Sequence, residues 1–172
     1  MNLELIKEEI KEEEGFRNSM YRDHLGFATI GFGHLVKPTD KFKEGVVYTE
    51  KELESVFEYD FQIAYQDALS LTKNLDIPEQ AVEIIIHMCF QLGKPKVMKF
   101  KKMFKALEKK DMITAGFEME DSRWARDHTP ARAKRLSEKM KELTWENVEK
   151  ELLPLRKSNS YWKQEKNINM RI

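Results

Sequence analysis

The sequence has one cysteine, Cys89, and therefore no internal disulfide. Its fold needs no oxidising compartment. Cys89 sits in an apolar run and reads as a buried small hydrophobe rather than a reactive thiol. Glycine and proline are sparse, with 7 and 5 residues, and there is no low-complexity tract. That composition argues against disorder and for one folded domain of 172 residues. Long apolar runs are missing as well; the run Ile84 to Ile86 is far too short to span a bilayer. The opening MNLELIKEEIKEEE is acidic and amphipathic, without the basic-then-apolar order of a secretory signal. The expectation is a protein made in the cytoplasm and not inserted in a membrane. No cluster of His, Cys and Asp has metal-ligand spacing, and neither a phosphate loop nor a Gly-x-Ser-x-Gly elbow occurs. No metal, cofactor or nucleic acid is expected.

Net charge is also absent, 30 Lys/Arg balancing 30 Asp/Glu, but the charges are unevenly spread. Residues 1–80 hold 9 basic and 17 acidic side chains, a net −8; residues 81–172 hold 21 and 13, a net +8. Such a split suits either solvated helix faces or a basic part that meets an anionic partner. Lys99, Lys101, Lys102 and Lys105 are dense enough to form one basic patch on a helix from Val97 to Glu108.

What is present is mostly helical periodicity. Leu3, Ile6 and Ile10 predict a helix over 2–14 capped by Asn2. The period then changes. Met20 to Arg22 and Phe27 to Phe32 read as strands joined by a turn at His24-Leu25-Gly26, and Gly45 to Tyr48 as a third short strand. Thr49 and Glu52 form a capping box before a long helix to about Leu71. Ala81 to Leu92 is apolar nearly all round and reads as a buried helix closed by Gly93. Helices follow over 97–108 and 112–119. Thr129 as cap and Pro130 at the first helical position open another, to about Leu143. Thr144 and Asn147 open a last one, which Pro154 stops, and a polar tail ends the chain. The layout is α+β with a small antiparallel sheet segregated to one end.

The stretch EEGFRNSMYRDHLGFATIGFGH, Glu13 to His34, departs from this helical pattern. It gathers carboxylates and four glycines where the sheet begins. Glu14 stands at the end of the first helix and Asp23 at the hairpin turn. A pair of carboxylates across a cleft is what glycosidic cleavage uses: one protonates the leaving oxygen, the other activates water or attacks. Most glutamates between Glu4 and Glu14 are solvated in any reading, so the pair alone decides nothing. Thr29 is either a water-holding hydroxyl or simply a good strand former. His34 reads as a structural histidine, with Asp60 as its candidate partner. In SRWARDHTPARAKR, Ser122 to Arg135, Trp124 offers a ring to stack on a sugar face or a packed hydrophobe, and Arg132 a carboxylate ligand or a surface charge.

Taken together, Glu14-Gly15-Phe16-Arg17, Tyr21-x-Asp23, Thr29-Ile30-Gly31-x-Gly33-His34, Phe90-Gln91-x-Gly93, Ser122-Arg123-Trp124 and Thr129-Pro130-x-Arg132-Ala133-Lys134-Arg135 resemble the phage-type lysozymes. These are the muramidases of glycoside hydrolase family 24, with the T-even type as the nearest pattern. The blocks cover roughly residues 1–150 in order. The resemblance implies a two-lobed lysozyme-like fold: a sheet-bearing lobe over about 1–60, a long linking helix, and a helical lobe to 153, with 154–172 an extension of unassigned role. It implies Glu14 as proton donor, Asp23 and Thr29 positioning the water with inversion, and His34 with Asp60 as structural support. Leu35, Phe90 and Gln91 match positions lining the family's cleft, and Arg132 matches the arginine that supports the catalytic Glu; Trp124 and Arg132 join these three as candidate substrate-binding residues. Three departures stand out. The loop after His34 is shorter than the family's. Leu25 replaces an acidic residue. One extra residue lies between Trp124 and Thr129.

The activity so implied is hydrolysis of the β-1,4 bond between N-acetylmuramic acid and N-acetylglucosamine of bacterial peptidoglycan by a monomeric enzyme. It would serve phage-type cell lysis or tail-associated wall penetration, acting at the wall or in the periplasm. The alternatives are a non-catalytic wall-binding protein and a lytic transglycosylase on the same fold.

Overall fold

The computed structural model describes residues 1–23 and 26–144, without the side chains of Asp127 and His128. The turn residues His24 and Leu25, the helix expected after Thr144 and the extension 154–172 lie outside the described residues. The elements in order are α1 (Leu3–Glu14), β1 (Arg17–Arg22), β2 (Ala28–Gly31), β3 (His34–Leu35), α2 (Glu50–Thr72), α3 (Glu79–Leu92), α4 (Lys94–Val97), α5 (Lys101–Glu108), α6 (Met112–Glu120), a π-helical turn (Trp124–His128) and α7 (Pro130–Glu142). The architecture is α+β, as expected. Two compact units result. One comprises Met1–Leu75 with Val82–Lys101; the other comprises Asp76–Ala81 and the chain from Lys102 onward. The long helix α2, which the sequence reading divides near residue 60, lies wholly in the first unit.

In the first unit the helix ends form where the sequence signals them. The Asn2 side chain accepts from Leu5 N–H at 3.2 Å, closing one of the open donors of α1. Thr49 and Glu52 make the reciprocal capping box of α2. Gly93 leaves α3 with φ 74° and donates to the Cys89 carbonyl at 2.9 Å. Ile6, Ile10, Ile30, Leu53, Phe57, Phe61, Ile85, Ile86 and Met88 are buried here. Cys89 is buried too, and burial pushes its thiol up to about 12.

The sheet is antiparallel in the order β1-β2-β3. Register pairs Tyr21 with Thr29 and Thr29 with Leu35, so these three side chains form one row on one face. Ile30 pairs with His34 on the opposite face. The third strand is thus His34–Leu35, not the expected Gly45–Tyr48. Val47 makes only an isolated bridge to Ser19 and is 69% exposed. Val46 and Val47 are both exposed, so the 45–48 segment lacks the burial that would hold a strand.

The single helix expected over 97–108 is broken. Lys99 N–H bonds to Lys96 O and Phe100 N–H to Val97 O, tight turns that separate α4 from α5. Lys99 therefore lies off α5, and Lys101 and Lys102 fall on either side of the division between units, so the four lysines do not share one helix.

In the second unit α6 packs on α7 through Met112, Ala115, Met119, Leu136 and Met140. Gly116 makes the close approach possible: a Cβ there would stand 2.7 Å from the Ser137 carbonyl oxygen. Glu120 accepts from Ser137 Oγ at 2.8 Å and from Lys141 Nζ at 2.6 Å, which ties the two helices beside that contact. These two bonds, Lys141 first, hold the Glu120 carboxyl below the usual range. Alanine is the better helix former, yet Gly116→Ala should destabilise the protein by about 1–3 kcal/mol, because the clash is with backbone. Urea unfolding followed by circular dichroism reads this directly.

Candidate active site

Glu14 is the last residue of α1. The helix stops there because Gly15 turns the chain with φ 69°, donating back to the Lys11 carbonyl at 3.0 Å. The Glu14 carboxylate then reaches the turn between β2 and β3, where a Cβ on Gly33 would stand 3.3 Å from Oε2. Gly33 is needed twice over, for this space and for its φ of 86°.

The final turn of α1 is held from α2 and from α3. Lys11 Nζ is 2.5 Å from Glu54 Oε1 on α2 and lies over the rings of Phe57 and Phe32, 4.7 and 5.3 Å from their centroids. On the α3 side His87 stands beside Glu9 and Glu13.

Asp23 sits where β1 turns toward β2. Its Oδ1 accepts from Phe27 N–H at 2.8 Å, its own N–H bonds to the Phe27 carbonyl, and Gly26 N–H bonds back to its carbonyl. The side chain is thus fixed by the hairpin itself. Thr29, on β2, is buried and donates its hydroxyl to the Phe27 carbonyl at 3.2 Å. That leaves the oxygen's lone pairs as acceptors. Tyr21 stands opposite Thr29 in register and feels both carboxylates. Burial raises its phenol above the usual range, nearby Arg17 opposes the rise, and the charges of Glu14 and Asp23 add to it. Tyr21 is the residue that the sequence reading quoted but gave no role.

Leu35 is half exposed on β3, in the same row as Thr29. Phe90 and Gln91 are half-buried near the end of α3, with the Phe90 ring 5.5 Å from that of Phe57. All of these belong to the first unit. Trp124 and Arg132 belong to the second. Arg132 is half-buried on the first turn of α7. Trp124 corrects an expectation: it is 3% exposed, so its ring is a packed hydrophobe and offers no face to a sugar. Its carbonyl accepts from Thr129 N–H, the i to i+5 bond of a π turn. Such a turn holds one residue more than an α turn, which accommodates the extra residue noted between Trp124 and Thr129. Thr129 itself makes no side-chain cap for α7, contrary to the reading of Thr129-Pro130.

The phage lysozyme family profile matches residues 11–147. The chain belongs to the phage lysozyme family. Probable T4-type lysozyme 1 of Dictyostelium discoideum is 32% identical over 156 residues, covering 76% of this chain and 90% of that protein. Probable T4-type lysozyme 2 of the same organism is 30% identical with the same coverage. This lysozyme is accordingly a glycoside hydrolase with a muramidase-type function. Among its described residues no helix is long and apolar enough to cross a membrane.

His34 lies behind the sheet, 7% exposed. Its Nδ1 is 2.6 Å from Asp60 Oδ2 on α2, the pairing that the sequence suggested. Its Nε2 is 3.0 Å from Asp40 Oδ2, a partner not foreseen. Asp40 also accepts from Lys37 N–H at 2.6 Å, so one histidine pins the loop after β3 to both sheet and helix. The bond to Asp60 first, and that to Asp40, hold the His34 ring above its usual 6.5 against the opposing effect of burial. Lys37 N–H first, then His34, hold Asp40 below its usual 3.8. The raised histidine stabilises the fold fully below pH 6.5, and that support is lost as pH rises through its folded value. The lowered Asp40 stabilises above pH 3.8 and loses its effect as pH falls through its folded value. Both act between these limits. His34→Asn should therefore cost on the order of 2 kcal/mol near pH 5 and less above neutrality. Thermal unfolding of both proteins across pH checks this, and the folded variant should keep its turnover.

Proposed function

We propose that this lysozyme hydrolyses the β-1,4 bond between N-acetylmuramic acid and N-acetylglucosamine in bacterial peptidoglycan. Glu14 is the acid that protonates the leaving glycosidic oxygen. Asp23 and Thr29 hold the attacking water on the other side, the Thr29 oxygen accepting one of its protons, and the reaction inverts the anomeric centre. The observation that carries the reading is the placement of Glu14: a carboxylate at a helix end, laid against Gly33 beside the sheet that bears Thr29. A rigid Asp23 supports it, because a general base or water holder works only from a fixed position.

The surroundings suit a sugar chain. Phe16, Phe27 and Leu35 are 39%, 54% and 50% exposed on the segments that carry Glu14, Asp23 and Thr29. Apolar rings and aliphatic groups of this kind cover the C–H faces of pyranose rings. Leu35, Phe90 and Gln91 are the substrate-facing residues of this reading, and Arg132 remains the candidate arginine for a carboxylate. Peptidoglycan is the partner, met in bacterial lysis or in wall penetration from a phage tail. The enzyme acts as a monomer on the wall or in the periplasm.

Glu14→Gln should keep the fold and lower turnover by roughly 10²–10⁴-fold, since the amide is nearly isosteric but has no proton to give. Wall digestion followed by mass analysis of the fragments reads both quantity and chemistry. Reducing-end muramic acid is expected. Near-native turnover in the variant overturns the role of Glu14, and anhydro-sugar products overturn hydrolysis. Release of the β anomer, read by NMR before mutarotation, overturns inversion.

A further inference from the structure

One cation near the proposed acid has no anion of its own. Arg17 opens β1 just after Glu14, and its side chain is exposed. The guanidinium carbon stands 4.7 Å from the centre of the Tyr21 ring. Among the described residues no side-chain hydrogen bond and no ion pair engages that guanidinium. The Tyr21 hydroxyl, on a half-buried ring, is likewise without a hydrogen-bond partner among them. Two sets of donors therefore stand side by side with nothing to receive them.

The strand is shaped to bring them together. In a regular strand residues four apart lie about 13 Å from each other along the chain. Here β1 runs from Arg17 to Tyr21 while β2 runs only from Gly31 to Thr29, four steps against two. The bulge shortens that span, and the long Arg17 side chain closes over the ring. Tyr21 in turn stands in the row of Thr29 and Leu35. The pair thus borders the face that carries the proposed water holder.

The chemistry of the pair selects its ligand. A guanidinium is always charged, and its planar fork matches a carboxylate. The phenol is a neutral donor: burial raises it above the usual range, and the charges of Glu14 and Asp23 add to that against the opposing effect of Arg17. A carboxylate placed between them receives charge-assisted bonds from one side and a hydroxyl bond from the other. Glu14 and Asp23 repel an anion at the scissile bond itself, and a glycan backbone of acetylated sugars is neutral. The acid group must then hang from a substituent. In peptidoglycan that substituent is the lactyl group of N-acetylmuramic acid, with the stem peptide it carries.

We propose that Arg17 and Tyr21 form a carboxylate-binding site for the acidic lactyl-peptide substituent of N-acetylmuramic acid, so that this lysozyme prefers an acidic glycan to a neutral one. The inference rests on the peptidoglycan reading above, with Glu14 as the acid. It makes the pair a specificity element that grips the substrate beside the bond being cut.

The test uses the full chain as wild type, Arg17→Gln, Arg17→Lys and Tyr21→Phe. The substrates are soluble peptidoglycan oligosaccharides in three forms: with stem peptides, stripped of peptide to the free lactyl acid, and with stem peptides whose carboxylates are all amidated. For wild type the KM of an acidic form should lie on the order of tenfold below that of the amidated form, the effect of one hydrogen bond to a charged group. Arg17→Gln should erase this preference with kcat little changed. Arg17→Lys keeps the charge without the fork and should retain part of it. Tyr21→Phe leaves the ring under the guanidinium, removes one donor and should reduce the preference by less than Arg17→Gln. A preference that persists in the stripped form assigns the lactyl acid, and one confined to the peptide-bearing form assigns the stem; both uphold the site. If Arg17→Gln lowers turnover equally on acidic and amidated forms, Arg17 acts on Glu14 or on the fold and the proposal is overturned. Full wild-type preference in Arg17→Gln or Tyr21→Phe overturns it as well. A wild type that cleaves all three forms alike overturns it while leaving the muramidase reading intact. A wild type that cleaves none of them sinks that reading and the carboxylate site together.

Discussion

The site depends on the last turn of one helix staying wound. Helix ends fray, and an end that carries three consecutive glutamates against the negative pole of its own dipole has added reason to do so. Here the turn is kept by what flanks it. Lys11 reaches Glu54 and lies over two aromatic rings. Gly15 closes the last backbone bond. His87 stands against Glu9 and Glu13. The pairs are partly buried, so salt screens them less than it would at an open surface. Their combined effect is positional: the carboxylate of Glu14 arrives beside Gly33.

The opposite half of the site is fixed by other means. Asp23 is held by backbone hydrogen bonds of a hairpin, and Thr29 by a strand whose neighbour, Ile30, is fully buried. Behind that strand His34 joins Asp60 and Asp40, so the sheet is tied to α2 and to the loop that follows it. In the proposed reaction the acid therefore rides on a helix end and the water-holding groups on a hairpin, and α2 braces both through Glu54 and Asp60. This division suits a reaction in which a proton donor and a water must stay on opposite faces of one sugar ring.

Much of this was legible in the sequence wherever the cause is local. The Asn2 cap, the Thr49–Glu52 box and the Gly93 stop are chemical signals within four residues, and all are found. The pairing of His34 with Asp60, read from the residues and implied again by the family resemblance, is present at 2.6 Å. Signals failed where the cause is distant or very short. Strand β3 has two residues, too few for any alternation, while Val46 and Val47 advertise a strand that nothing covers. The break at Met98–Phe100 carries neither Gly nor Pro. Trp124 lies among arginines in sequence, yet a π turn carries it into the core. His87 meets glutamates on a helix more than seventy residues earlier, and no spacing rule marks such a pair.

The account turns on the rigidity of residues 11–15, and native-state amide hydrogen exchange measures that residue by residue. With the clamps as described, the amides of Lys11 to Gly15 should be protected to the same degree as those of Ile6 to Ile10 in the middle of the same helix. Rapid exchange confined to the last turn, with the middle of α1 still protected, would show a frayed end and would contradict the claim that the fold holds the proposed acid, Glu14, in place.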